Sequence, residues 1–127
     1  MARDFSGDYV LDRSASVLSA GAAGFRHGEF HIRHVEPTFR LTAKFVGHEK
    51  TFEYSYELTT DGREVSLGEN DLSRLYWDGD VLVAEHRSPG FAMTWRYEMM
   101  EDRRLRASEQ IRGAGRDQDN TWIFDRA

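Results

Sequence analysis

Between Asp71 and Gly113 the chain carries a near-continuous series of hairpin signals, and these limit its fold more than any other feature. Leu75-Tyr76-Trp77 runs into Asp78-Gly79-Asp80, and Val81-Leu82-Val83-Ala84 follows. Asp-Gly between apolar runs marks a hairpin, because a type I′ turn needs positive φ at both central residues. Ser88-Pro89-Gly90 then breaks the chain. From Phe91 to Met99, residues Phe91, Met93, Trp95, Tyr97 and Met99 fall on one face and Ala92, Thr94, Arg96 and Glu98 on the other. A period of two is that of a half-buried strand, whose side chains point to alternate faces. The stretch predicts an antiparallel meander.

The rest of the chain continues the pattern. Ser6 to Leu11 reads as a first strand, followed by a small-residue segment, Asp12 to Gly24, in which Asp12 or Ser14 caps a short helix or the glycines form a loop. Phe30, Ile32 and His34 alternate with His31, Arg33 and Val35 until Pro37 ends the strand. Phe39, Leu41, Ala43 and Phe45 share the next apolar face, and Phe52, Tyr54, Tyr56 and Leu58 the one after Gly47-His48. Asp61-Gly62 is a second hairpin signal, leading to a short strand at Glu64 to Leu67. Leu105, Ala107, Glu109 and Ile111 stand opposite Arg104, Arg106, Ser108, Gln110 and Arg112. Gly113-Ala114-Gly115 is a turn, and Gln118 to Arg126 the last strand. About ten short strands at regular spacing predict an all-β, antiparallel up-and-down barrel, whose closure removes exposed sheet edges.

Composition narrows the function classes. At 127 residues the chain is expected to form a single domain, 1–127, with a substantial core. Its net charge of −5, with acids and bases interspersed, argues against a nucleic-acid partner. The absence of cysteine excludes disulfides and thiolate chemistry and fits a reducing compartment, so a cytoplasmic location is expected. Met1 to Phe5 lacks the apolar core of a signal peptide, and no run is long enough to span a bilayer. Aromatic residues make up 13%, which favours large side chains lining an interior.

Four segments carry a family resemblance: Phe5-Ser6-Gly7-Asp8-Tyr9-Val10-Leu11-Asp12, Thr59-Thr60-Asp61-Gly62-Arg63-Glu64-Val65, Tyr76-Trp77-Asp78-Gly79-Asp80-Val81-Leu82-Val83, and Trp122-Ile123-Phe124-Asp125-Arg126. With ten strands in this length and a short insertion after the first, the chain resembles the fatty-acid-binding-protein-like branch of the calycins, and within it small bacterial lipocalin-like proteins. The resemblance implies a calycin barrel that binds a small hydrophobic molecule. It also implies a carboxylate held by interior Arg and Tyr on late strands, where Arg126 stands in a similar place, although the family's Arg-x-Tyr pattern does not follow it. Two further departures are a glycine-rich segment in place of a helix-turn-helix lid, and a Glu101-Asp102-Arg103 turn without the usual glycine.

Polar residues on otherwise apolar faces are the candidates for chemistry. His34 sits with Phe30 and Ile32, Glu109 between Ala107 and Ile111, and His86 with Leu82 and Ala84. In a binding protein, Phe39, Tyr54, Tyr56, Met93, Trp95 and Tyr97 would wall the ligand, with His34, Glu109 or Arg126 as polar anchors. In an enzyme on the same barrel (a cyclase, isomerase or lyase), Glu109 or His34 would transfer a proton to an apolar substrate, a buried carboxyl having its pKa raised by desolvation. In a purely structural role, Glu109 would pair with an arginine and the tyrosine hydroxyls would reach the barrel mouth. A third functional class, an outer face that docks a protein, conflicts with the charged outer rows. The histidines His27, His31 and His34 have a spacing suggestive of metal binding, but on a strand His31 and His34 point to opposite faces, so no metal or other cofactor is expected. Whether Arg104, Arg106 and Arg112 face solvent or a cationic interior depends on which face points inward. A homodimer is compatible with all three classes.

Overall fold

The computed structural model describes residues 3–113, 115 and 117–127. The strands are β1 (Gly7–Leu11), β2 (His27–Val35), β3 (Thr38–Val46), β4 (Thr51–Thr59), β5 (Val65–Gly68), β6 (Asp71–Asp78), β7 (Val81–Ser88), β8 (Phe91–Met99), β9 (Leu105–Gly113) and β10 (Gln118–Arg126). They form one antiparallel sheet in the order β4-β3-β2-β1-β10-β9-β8-β7-β6-β5. Consecutive strands pair with one another except β4 and β5, β1 also pairs with β10, and the sheet curls into a nearly closed barrel. No helix of the described residues is long and apolar enough to cross a membrane.

Local chemistry explains most of the connections. The β6–β7 hairpin lies where Asp78-Gly79 placed it, but its two-residue loop is Gly79-Asp80 between the paired Asp78 and Val81. Among the loop residues only Gly79 has positive φ (63°), so the turn is of the kind with glycine at its first central position, not the expected type I′. Pro89-Gly90 joins β7 to β8, with Gly90 at φ 74°, the arrangement of a type II turn. The turn after β8 lacks glycine and places Arg103 itself at φ 69°. Ala114 of the expected Gly113–Gly115 turn lies outside the described residues.

The second hairpin signal is corrected by the topology. Asp61-Gly62 does not fold β4 back on β5; these strands are the two edges of the sheet and share no ladder. Asp61 instead bridges to Tyr76 on β6, and Gly62 N–H donates to Leu75 O at 2.9 Å. An Asp-Gly pair dictates a local bend, whereas pairing across it requires two strands in register, and here the bend carries the chain across the seam of the barrel.

After β1 the chain buckles outward through a single 3-10 turn, Arg13–Ala15, whose N-cap Asp12 accepts from Ala15 N–H. It then rejoins β10, where Val17 and Thr121 exchange backbone hydrogen bonds at 2.8 Å. The expected alternatives of helix and loop therefore resolve to one short turn followed by a covering loop.

The inward rows follow the alternation of the sequence. Phe5, Tyr9, Phe30, Phe39, Leu41, Leu75, Leu82, Leu105 and Phe124 are fully buried. Phe30 stacks on Phe124 with ring centroids 4.2 Å apart. The arginine-bearing face of β9 points outward: Arg106 lies 3.6 Å from Glu98 and Arg112 lies 2.8 Å from Asp119. The interior is thus not cationic on that strand.

Candidate functional site

The barrel is filled at one end and open inside at the other. At the filled end the segment before β1 crosses the barrel. Phe5 N–H donates to His34 Nδ1 at 3.1 Å, His34 N–H donates to Ser6 Oγ at 2.8 Å, and Tyr9 OH donates to Phe5 O at 2.8 Å. His34 is 4% exposed and packs between Phe5, Phe39 and Trp77. Its Nδ1 must be the acceptor, so the ring is neutral with its proton on Nε2, 3.6 Å from Glu36 Oε1.

Toward the other end lies a cavity of about 1020 Å³, lined chiefly by strands β3, β4 and β8–β10, the covering loop at Gly21–Phe25 and the β3–β4 turn. Its walls are Phe45, Phe52, Tyr54, Tyr56, Met93, Trp95, Ile111 and Trp122, with Leu67 from β5. Phe52 and Tyr54 are 51% and 40% exposed, values that at first sight belong on an outer surface. Both sit on the inward row of β4 and line the cavity, so the space they expose themselves to is inside the barrel. Phe25 reaches in from the covering loop and its ring meets those of Phe45, Phe52 and Trp122 at 5.6, 5.6 and 6.2 Å.

Glu109 is the buried acidic group of this cavity. It is 8% exposed, and its Oε1 accepts from Asn120 Nδ2 at 3.0 Å and Trp122 Nε1 at 3.1 Å. Asn120 is oriented in turn by the covering loop, since its Oδ1 accepts from Ser19 N–H at 2.7 Å. The cross-strand register brings these residues together: Glu109 pairs with Trp95 on one side and Asn120 on the other. Burial pushes the Glu109 carboxyl above its usual range, more than its two donors pull it down. Oε2 has no hydrogen-bond partner among the described residues.

Two further polar pairs stand beside the cavity. Tyr56 and Tyr97 share a hydrogen bond between hydroxyls at 3.0 Å. Burial raises both phenols well above their usual value, and that of Tyr54 as well. His86 Nδ1 is 2.7 Å from Ser73 Oγ, and burial holds its imidazole below the usual histidine pKa.

Of the residues singled out from sequence, Glu109, Tyr54, Tyr56, Met93 and Trp95 line the cavity. Phe39 and Tyr97 are packed in the core behind Tyr56, Tyr97 reaching it through its hydroxyl. Two expectations are corrected. His34 does not share the space of Glu109: it is enclosed at the filled end, where it secures the N-terminal segment. Arg126 is not an interior anchor: it is exposed at the end of β10, with its guanidinium over the Tyr9 ring at 5.2 Å. The three histidines also diverge, His31 lying outside beside Asp8 at 2.8 Å while His34 is inside. Sequence reasoning passed over Gln118, Asn120 and Trp122, although their alternation with Asp119, Thr121 and Ile123 carries the same period of two. Phe25 gave no such signal, because it lies in a loop.

No family model matches the chain, and no curated protein matches it. Solved structures do. The fluorescent protein UnaG aligns at a TM-score of 0.72 with 12% identity, over 97% of this chain and 97% of its own. Fatty-acid-binding protein 1 of Echinococcus granulosus aligns at 0.66 with 10% identity, over 97% of each chain. The REP1-NXSQ fatty acid transporter aligns at 0.63 with 13% identity, over 96% of this chain and 95% of its own. At such identities the likeness is one of fold: a nearly closed barrel of ten antiparallel strands, the fold of these fatty-acid-binding-protein-like structures.

Proposed function

We propose that the chain binds a small, largely apolar molecule inside the barrel. The observation that carries this reading is the cavity of about 1020 Å³, walled by aromatic and aliphatic side chains around a small polar group of Glu109, Asn120 and Gln118. An apolar space with a few convergent polar groups is the general form of a small-molecule site. The reading is supported by the two fatty-acid proteins among its structural neighbours. The wall consists of Tyr54, Tyr56, Met93 and Trp95 with Phe45 and Trp122, while Phe39 and Tyr97 are packed in the core behind Tyr56.

Titration with anilinonaphthalene sulfonate tests it. The dye's emission rises and shifts to the blue on entering the cavity, saturates at one equivalent per chain, and reverses on adding an alkyl ligand. Ile111→Trp, which fills the space, abolishes the response. A barrel that takes up no apolar probe at all ends this reading.

A second reading, an enzyme performing acid–base chemistry on an apolar substrate, is favoured by one feature: the raised carboxyl of Glu109, with one oxygen unpartnered. In that reading Glu109 transfers the proton and His34, enclosed elsewhere, takes no part. Conversion of a bound molecule that persists undiminished in Glu109→Gln counts against it.

The wider setting we infer is bacterial and cytoplasmic, with no nucleic-acid partner, on the cysteine-free, acidic sequence and its resemblance. A homodimer fits this setting, and sedimentation of the purified chain decides it.

A further inference from the structure

The cavity's chemistry points beyond binding in general to the head group it accepts, an inference that rests on the binding reading above. A carboxylate ligand needs a cation or several free donors. Among the described residues no arginine lines this cavity. The donors beside Glu109 are engaged: Asn120 Nδ2 and Trp122 Nε1 both donate to its Oε1, and the Tyr56 hydroxyl bonds to that of Tyr97; Tyr54 and Gln118 also line the space. Among them stands one buried acceptor, Oε2 of Glu109, on a residue 8% exposed and without a partner there among the described residues.

We propose that the cavity takes an apolar molecule carrying a protonated amine, whose N–H donates to Oε2 of Glu109. An ionised carboxyl in an apolar enclosure lacks the solvation it had in water, and a cation in contact replaces that loss. A fatty acid seated the same way would set two carboxyl groups against each other. The geometry also suits the donor's position, since Oε1 is pinned by two N–H groups and Oε2 is thereby held at a defined point in the wall.

A pH dependence follows, with a definite sign. The titratable groups facing this space are Glu109, His86, Tyr54 and Tyr56, with His48, Glu49 and Lys50 at the β3–β4 turn. The phenols stay neutral, and His86 stays neutral until the pH falls below the usual histidine range. Amine affinity therefore rises with pH as Glu109 ionises. The affinity of a carboxylate ligand falls over the same interval. Lys50 offers the alternative cation, for a fatty acid seated with its carboxylate at the turn.

The test uses the full chain and three ligands with one alkyl chain: laurylamine, lauryl alcohol and laurate. Laurylamine is expected to bind most tightly, with affinity that rises with pH. Glu109→Gln weakens it by about tenfold to a hundredfold, the range of a charge-assisted hydrogen bond. The same variant keeps the parent's circular-dichroism spectrum, which shows that it is folded, weakens lauryl alcohol far less than laurylamine, and does not weaken laurate. Equal affinity for the three ligands, or a Glu109→Gln variant that weakens all alike, overturns the inference while leaving the binding reading intact. Laurate binding tightest, and lost in Lys50→Ala, overturns it in favour of a fatty acid at the turn. If none of the three binds, the binding reading falls and this inference with it.

Discussion

Glu109 places an ionisable group where it is half satisfied, and the free energy of folding should record it. Its folded-state pKa is raised, so its contribution to stability is fully present below the ordinary glutamate range and lost as pH rises through the raised value. Glu109→Gln retains an acceptor for Asn120 and Trp122 without the charge. It is therefore expected to melt at a higher temperature than the parent at neutral pH, with the difference closing as pH falls into the ordinary carboxylate range. His86 acts in the opposite sense. Its folded pKa is depressed, so the stability it contributes is present above the ordinary histidine value and lost as pH falls toward the folded one. Thermal melts of the parent and His86→Gln across that interval should diverge on the acid side. Backbone conformation makes a separate residue-scale prediction. Arg103 occupies φ 69° in a turn where glycine carries no Cβ penalty, and Arg103→Gly should stabilise by up to about 1 kcal/mol. Gly113, at φ 105° with the Gly90 carbonyl against its Cβ position, should respond the other way, Gly113→Ala costing about 2 kcal/mol or more by chemical denaturation.

At the scale of elements, the loop between β1 and β2 holds one 3-10 turn and then a covering segment. Its work is to hold the cavity wall and cover it. Ser16 Oγ accepts from Ile123 N–H at 2.9 Å and Ser19 N–H donates to Asn120, so two loop residues orient β10 just where Asn120 supports Glu109. Phe25 then closes the aromatic contact with Phe45, Phe52 and Trp122. Phe25→Ala is expected to lower stability by about 1–3 kcal/mol, since a half-buried ring with several aromatic neighbours is lost. It should also raise the dissociation rate of a bound alkyl ligand more than it changes the association rate, measurable by stopped-flow displacement. The strands themselves were legible because most are period-two runs bounded by turn residues. The covering loop was not, because its small residues have no periodicity and its conformation is set by β10, about a hundred positions away in the chain for Ser19 and Asn120.

For the whole molecule, a ligand that binds only the folded barrel must raise its melting temperature. At a free concentration about a hundredfold above Kd the linkage amounts to about 2.7 kcal/mol, which for a domain of this size is several degrees. A ligand held in the cavity and displaced by Ile111→Trp should lose this effect in that variant, while a molecule bound to the outer surface should keep it. At the seam β4 and β5 share no ladder among the described residues, and the barrel is closed there by packing between β4 and β6.

The sequence by itself determined the strands and which residues share a face, and hence an antiparallel barrel, because side-chain direction along a strand alternates as a local consequence of backbone geometry; it left open which face of each strand points inward. Tertiary structure alone decided which inward residues meet empty space and which meet one another. Phe39 and Tyr97 read like Tyr54 and Trp95 in sequence, yet the N-terminal segment pinned by His34 fills their end of the barrel. Arg126 looked like an anchor, and the end of β10 leaves it in solvent. Asp61-Gly62 looked like a hairpin, and closure of the sheet made it the seam. The reason is common to all of these: alternation tells a residue which way to point, but what it points at is set by strand register and by segments that cross the barrel from far along the chain.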